Sequence, residues 1–308
     1  MRRGILGLLI ATLVISMLAM TGCQRGGDGF TVGLVNQADS DVFTTIRMHA
    51  LRDAMSGTDI NIRFADADNN IQRQLDLVDV FILQEVDILV ISPVDGMGVI
   101  PAVVRANEAG IPVILFGITA GGGDFVFIGS ENYDAGWMQG ELFARILPPN
   151  AQILYLAGSA GLFHSIERRD GFNDALRAAG RNDVVILSDM DGDYQMATAM
   201  RITEDWIQAF PHFDAIVAAN DQMALGAVEA LRAAGRLDGV LVSGIDGTSG
   251  AISAILDGSM VQSVLQNAPG QADAALEAIN RIRAGQSVEN VIMVPFVSIT
   301  ADNVGDFL

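Results

Sequence analysis

From residue 30 onward, short runs of β-branched and aliphatic residues alternate with stretches of helical length whose apolar positions recur every three or four residues. An apolar run bounded by turn residues reads as a buried strand, and a 3.6-residue period reads as a helix packed by one face. In the first half, strands are predicted at 30–35, 60–65, 87–92 and 111–116, with helices at 42–55, 71–84 and 97–109 between them. The second half repeats the alternation, with strands at 152–156, 184–188, 215–219 and 240–244 and helices at 166–179, 196–210, 223–234 and 248–256. Strands that alternate with helices build parallel sheets covered on both faces. Two such halves in tandem predict an α/β fold of two doubly wound parallel-sheet lobes. The loops at the carboxyl ends of their strands would face a shared cleft. Pro148-Pro149-Asn150 reads as a surface turn leading into the second lobe.

The N-terminus follows a different pattern. Arg2 and Arg3 precede an uncharged apolar run over residues 5–20, which ends at Thr21-Gly22-Cys23. A basic start, an apolar stretch short of the ~20 residues of a membrane span and a small-residue stop describe a signal peptide, here 1–22. Cys23 is the single cysteine of the chain and has no disulfide partner. Its setting resembles the lipobox of bacterial lipoproteins, which implies acylation of Cys23, a polar tether over 23–29 and a folded part anchored to a membrane outside the cytoplasm.

Composition narrows the function. The 308 residues, half of them apolar, suffice for two cores of ordinary size. Formal charge is −19 and all 18 basic residues are arginine, so no surface could neutralise a run of phosphates and nucleic acid is excluded as a partner. Catalytic signatures are missing. His49, His164 and His212 are scattered without metal-site spacing, and Gly121-Gly122-Gly123 leads into another apolar segment and not into a helix that could cradle phosphate. We therefore expect no enzyme activity and no cofactor.

At the strand ends the residues become specific. Ala218-Ala219-Asn220-Asp221-Gln222-Met223 joins a strand end to a small-residue helix start, followed by Gly244-Ile245-Asp246-Gly247-Thr248 and Val264-Leu265-Gln266-Asn267. In order and spacing these patches resemble the type I periplasmic binding proteins, nearest to the ribose- and galactose-binding members, over almost the whole chain from Phe30. Val294-Pro295-Phe296-Val297 with Asp302-Asn303 is similar to the closing segment of the galactose-binding branch. The resemblance implies lobes of 30–130 plus 267–294 and 131–266 plus 295–308, joined by three crossings near residues 130–132, 266–268 and 294–296. It also implies a monomeric binding subunit that hands a monosaccharide-like ligand to the permease and ATPase of an ABC importer.

The same resemblance implies ligand contacts at Asn220, Asp246 and Gln266, whose amide and carboxylate groups can satisfy hydroxyls that both donate and accept. Arg168, in Glu167-Arg168-Arg169-Asp170, matches the family arginine for ring and hydroxyl oxygens, with Arg169 as its rival in register. His164, Ser92, Asp41 and Phe43 match further contact positions, Asp41 for hydroxyls and Phe43 for an apolar sugar face. Two positions depart from the family: Gly192 stands where relatives place a stacking aromatic ring, and Gly117 where they carry a polar or charged contact. Tyr194 or a bulkier ligand would fill the first gap. The calcium loop of the galactose-binding branch has no counterpart in Leu147-Pro148-Pro149-Asn150, so no structural metal is expected.

Ordinary readings compete at each position. Asn220 or Asp221 could cap the next helix, as could Asp246 before Thr248. Arg168 could form a surface ion pair with Glu167 or Asp170, His164 could be a plain loop residue, and Phe43 could belong to the core. Two functional alternatives share the fold. A ligand-sensing lipoprotein would act with a membrane receptor on a sugar, nucleoside or furanose signal. A sugar-responsive repressor would need an N-terminal helix-turn-helix, where the apolar run stands instead.

Overall fold

Two six-stranded sheets organise the computed structural model, which describes residues 29–39 and 42–308. Cys23, the segment read as a signal, most of the tether and Asp41 lie outside the described residues. The first sheet contains β1 (Phe30–Asn36), β2 (Ile60–Asp66), β3 (Ile88–Ile91), β4 (Val113–Phe116), β5 (Val126–Gly129) and β11 (Val291–Met293). Its order is β11-β5-β4-β3-β1-β2 and every pairing is parallel. The second contains β6 (Gln152–Ala157), β7 (Val185–Asp191), β8 (Ala215–Ala218), β9 (Leu241–Asp246), β10 (Gln262–Leu265) and β12 (Val297–Ile299). Its order is β12-β10-β9-β8-β6-β7, with β12 alone antiparallel to its neighbour. The first five strands of each sheet thus follow the same doubly wound order, which places ligands at the carboxyl ends of the strands.

Helices cover both faces of each sheet. In the first lobe α1 (Val42–Met55) buries Met48 and Leu51 against Val32, Leu34 and Phe116 on one face. Helices α2 (Ile71–Leu83) and α3 (Ile100–Glu108) bury Val78, Phe81 and Val103 against Val35, Leu89 and Leu115 on the other. Burial on both sides explains why β3 and β4 are unbroken apolar runs with every residue buried. In the second lobe α4 (Asn132–Ile146) and α5 (Phe163–Ala178) bury Phe143, Phe172 and Leu176 against Ile153, Tyr155 and Val217. The opposite face carries α6 (Met196–Ala209), α7 (Asp221–Ala233) and α8 (Ser249–Leu256).

The last helix, α9 (Ala268–Arg283), returns to the first lobe and buries Ala272, Ala275 and Ile279 beside α1. The chain therefore passes between the sheets three times: after β5, after β10 and between β11 and β12. Buried Gln271 of α9 donates from Nε2 to Oγ of Ser130 at the first passage, 2.8 Å away, so two passages are tied together.

Elements α4, α9, β5, β10, β11 and β12 do not appear in the strand and helix pattern predicted above. Helix α4 carries Gly136 and Gly140, which lower helical propensity. Their role is packing: a Cβ at Gly136 would collide with the backbone of Arg168 on α5, and one at Gly171 with the carbonyl of Tyr133 on α4. Helix α5 begins three residues earlier than its predicted start. Leu162 occupies its N-cap without a side-chain hydrogen bond, so no capping residue marks the boundary, and His164 sits in the first helical turn and not in a loop. The turn at 148–150 lies within the second lobe, between α4 and β6.

The contact between α4 and α5 should tolerate no added side chain. Gly171→Val is expected to cost about 1–3 kcal/mol of stability, read as a lower urea midpoint at unchanged slope. A wild-type midpoint would show that the two helices do not pack at that distance.

Candidate functional site

A cavity of about 340 Å³ opens between the carboxyl edges of the two sheets, at the lower end of the ~300–1,000 Å³ usual for small-molecule sites. Phe43, His164, Arg168, Asn220, Asp246 and Gln266 all line it. Ser92 does not. It is fully buried behind the wall, where its Oγ accepts a 2.6 Å hydrogen bond from Arg47 Nη2 and its carbonyl accepts one from Gln74 Nε2. Asp41 falls outside the described residues.

Arg168 enters from the first turns of α5 and is held on three sides. Its Nε donates to Asn132 Oδ1 at 3.0 Å, Nη1 to the Ala219 carbonyl at 2.7 Å and Nη2 to Gln266 Oε1 at 3.4 Å. A guanidinium fixed in this way keeps its plane when the cleft is empty, so little rotamer entropy is lost on binding. Arg169 points to the outer surface and pairs with Asp189 at 3.1 Å, which separates the two rivals in register.

Asn220 is both a cap and a wall residue. Its Oδ1 accepts from Met223 N at 3.0 Å at the start of α7, and its Nδ2 lies 3.5 Å from the Tyr194 carbonyl. The cap uses the acceptor, so the cavity meets the amide mainly as a donor. Asp246 does not cap α8; Thr248 does, through Oγ1. Asp246 instead holds φ at +133° as the last residue of β9, a conformation costing roughly 1–3 kcal/mol that only a constraining surround maintains. That surround is Asp221, fully buried, which accepts from Thr248 N at 2.8 Å, Thr248 Oγ1 at 3.0 Å and Ser263 Oγ at 2.6 Å. Burial pushes the Asp221 carboxyl above its ordinary range, and the three donors oppose that shift.

The gap at Gly192 has a structural answer. Gly192 is buried with its amide on the Ala157 carbonyl at 2.9 Å, and a side chain there would run into Met223. Asp193 and Tyr194 follow at φ +54° and +57°, a double left-handed step that turns the Tyr194 ring into the cavity wall. The ring rests over Gly158, where a Cβ would overlap it, and stacks on His164 with centroids 5.3 Å apart at 25°.

Sequence reasoning missed Arg47, Asn69 and Asn132, which also line the cavity. Asn69 stands in Asp68-Asn69-Asn70, a polar stretch just beyond β2, the same strand-end signal that marked Asn220. Arg47 stands one helical turn after Phe43, a spacing that puts both on one face of α1.

Electrostatics near α5 are polarised. Burial holds the His164 pKa down to about 3, and the charges of Arg168 and Arg47 lower it further, so the imidazole is neutral across physiological pH. Glu167 behaves oppositely: burial, and then repulsion from Glu131, raises its pKa to about 7. The native state therefore binds more protons than the unfolded chain between pH ~4.5 and ~7, and stability falls as pH rises through that window. Glu167→Gln is expected to raise the melting temperature at pH 8 and leave it unchanged at pH 4. Equal effects at both values would mean that Glu167 titrates as an ordinary carboxylate.

Comparison with known proteins gives a consistent picture. The profile of the periplasmic binding protein domain matches residues 32–287. The ribose import binding protein RbsB of Salmonella typhimurium is 31% identical over 284 residues, covering 91% of this chain and 94% of its own. An ABC transporter solute-binding protein of Bacillus halodurans, solved with bound myo-inositol, superposes with a TM-score of 0.85 at 31% identity, over 92% of this chain and 99% of that one. The Caulobacter myo-inositol binding protein gives 0.84 at 26% identity, over 92% and 96%.

Proposed function

This chain belongs to the periplasmic binding proteins, a non-enzymatic family of extracytoplasmic solute carriers, and we propose that it captures a monosaccharide-like polyol between its lobes and delivers it to an ABC-type importer. The observation that carries the reading is the convergence of Arg168, Asn220, Asp246 and Gln266 on one cavity, each 5–6% exposed. Donor-only, donor-rich, acceptor-only and mixed groups stand side by side there. A ring bearing several hydroxyls can satisfy such a set in full, whereas an apolar ligand would leave buried polar groups unpaired. The named ligands of the relatives, ribose and myo-inositol, are small polyols and fit this chemistry.

Capture follows from the lobe arrangement. We take the lobes as 30–130 with 267–294 and 131–266 with 295–308, and the three passages between them as the hinge. A ligand that touches both walls stabilises the closed arrangement over the open one, and only that difference in affinity shifts the population. The importer then reads the closed shape. Stacking of the sugar face would come from the Tyr194 and His164 pair and from Phe43. Cys23, following small residues after an apolar run, supports lipid anchoring of the mature chain to a bacterial membrane.

A thermal-shift screen of the purified chain against pentoses, hexoses, inositols and nucleosides should yield a melting-temperature rise with at least one polyol, because ligand binds only the folded state. In calorimetry, Asp246→Ala should weaken that ligand by about 1–3 kcal/mol, the cost of unpairing hydroxyl donors. Wild-type affinity in that variant would remove Asp246 from the site, and binding of nucleosides alone would redirect the reading to a nucleoside carrier.

A further inference from the structure

Resting on the cleft as the ligand site, we propose that Arg47 is a charged ligand contact of the first lobe, supplied from helix α1 into the volume that a side chain at position 117 would otherwise occupy. Gly117 directly follows β4 at φ +94°, facing the cavity, and it brings no side chain to the wall. That volume is filled. A Cβ built on Gly117 would overlap Nη1 of Arg47, and the other two guanidinium atoms nearest to it are Cζ and Nη2 of the same residue. The guanidinium thus occupies the place of the first atoms of a residue 117 side chain.

Three further observations show that this placement is built. The guanidinium carbon lies 5.1 Å from the Phe116 ring centroid and 5.7 Å from that of Phe43, so aromatic faces flank the charge on two sides. Ser92 Oγ accepts from Nη2 at 2.6 Å and fixes the rotation of the group. Arg47 is 3% exposed and still lines the cavity, so the part of it that is not packed faces the ligand volume. Its charge also reaches the opposite lobe, where it helps to keep His164 neutral.

The chemistry follows from the inventory of an arginine, which donates and never accepts. The ligand must therefore turn an oxygen lone pair, from a ring ether, a carbonyl or a hydroxyl, toward α1, while Arg168 takes a second acceptor from the other lobe. A polyol gripped by donor forks from both lobes closes the hinge through charge-assisted hydrogen bonds on each side. Such a contact also fixes which end of the ligand faces which lobe. Ser92, a matched contact position in the sequence, then serves as the anchor of Arg47 and touches no ligand.

The test is a double-substitution cycle by calorimetry on the full folded chain, with D-ribose, D-allose and myo-inositol as probes. For the tightest probe, Arg47→Gln should weaken binding about tenfold or more, the value of one hydrogen bond to a charged group. Gly117→Ala is strained at φ +94° in either background, but it should cost clearly more in the wild-type background, where its Cβ also displaces Nη1, than in the Arg47→Gln background. Wild-type affinity in Arg47→Gln, or an equal loss from Gly117→Ala in both backgrounds, overturns the proposal. If Arg47→Gln does not fold, Arg47→Lys decides in its place, since it keeps the charge and the stem but loses the planar fork: a tenfold loss supports the contact and unchanged affinity overturns it. Asp246→Ala separates the two levels of inference. If it weakens binding while Arg47→Gln does not, the cleft stands and the Arg47 contact falls. If no probe binds the wild-type chain, both fall together.

Discussion

Asp221 is sealed from solvent, and three donors surround its carboxylate: the amide and hydroxyl of Thr248 and the hydroxyl of Ser263. An isolated charge at that depth would be costly, so the three bonds are required as a set. Two come from Thr248 and one from Ser263, so the carboxylate ties the start of α7 to the loop after β9 and to β10. The cavity residues stand close to these tie points: Asn220 one residue before Asp221, Asp246 two before Thr248 and Gln266 three after Ser263. Gln139 of α4 works from below, donating to the Ala218 carbonyl, Ser243 Oγ and the Gly244 carbonyl. Buried polar bonds of this kind fix geometry at least as much as they add stability. Here they hold Asp246 in a backbone conformation that a non-glycine residue rarely adopts.

The two family contacts missing from the sequence share one physical solution. In each case a glycine opens space and a side chain from elsewhere in the chain moves into it. Gly117 admits Arg47 from α1, and Gly158 admits the ring of Tyr194 from the loop after β7. A strand end without a Cβ is a gap in the wall that a long side chain on a neighbouring element can enter. A comparison confined to matching positions counts two losses; the folded molecule brings a side chain from elsewhere to the cavity wall in each case.

Much of this was legible before any coordinates. The alternation of apolar runs with helical periods leads directly to the two doubly wound lobes, because parallel strands buried on both faces leave an unmistakable pattern. Asn220, Asp246 and Gln266 were readable because strand ends in such folds converge on one edge. Helices α4 and α9 were not, since α4 carries two glycines needed for contact with α5, and α9 opens on a proline with alanines filling its buried face. Arg47 was hidden for a different reason. Its meaning depends on the absence of a side chain 70 residues later, a relation that only the packed chain displays.

The interleaving of the lobes bears on how the chain reaches this state. The first sheet takes its edge strand from Val291–Met293, and its core is closed by the helix Ala268–Arg283. The second is completed by Val297–Ile299, with Ile299 and Val304 inside its core. Neither half can reach its final packing during synthesis until nearly the entire polypeptide has emerged. Unlike a tandem of self-contained domains, this topology delays commitment to the end of translation. Each core waits on a segment from the last fifth of the chain, and the two are finished almost together.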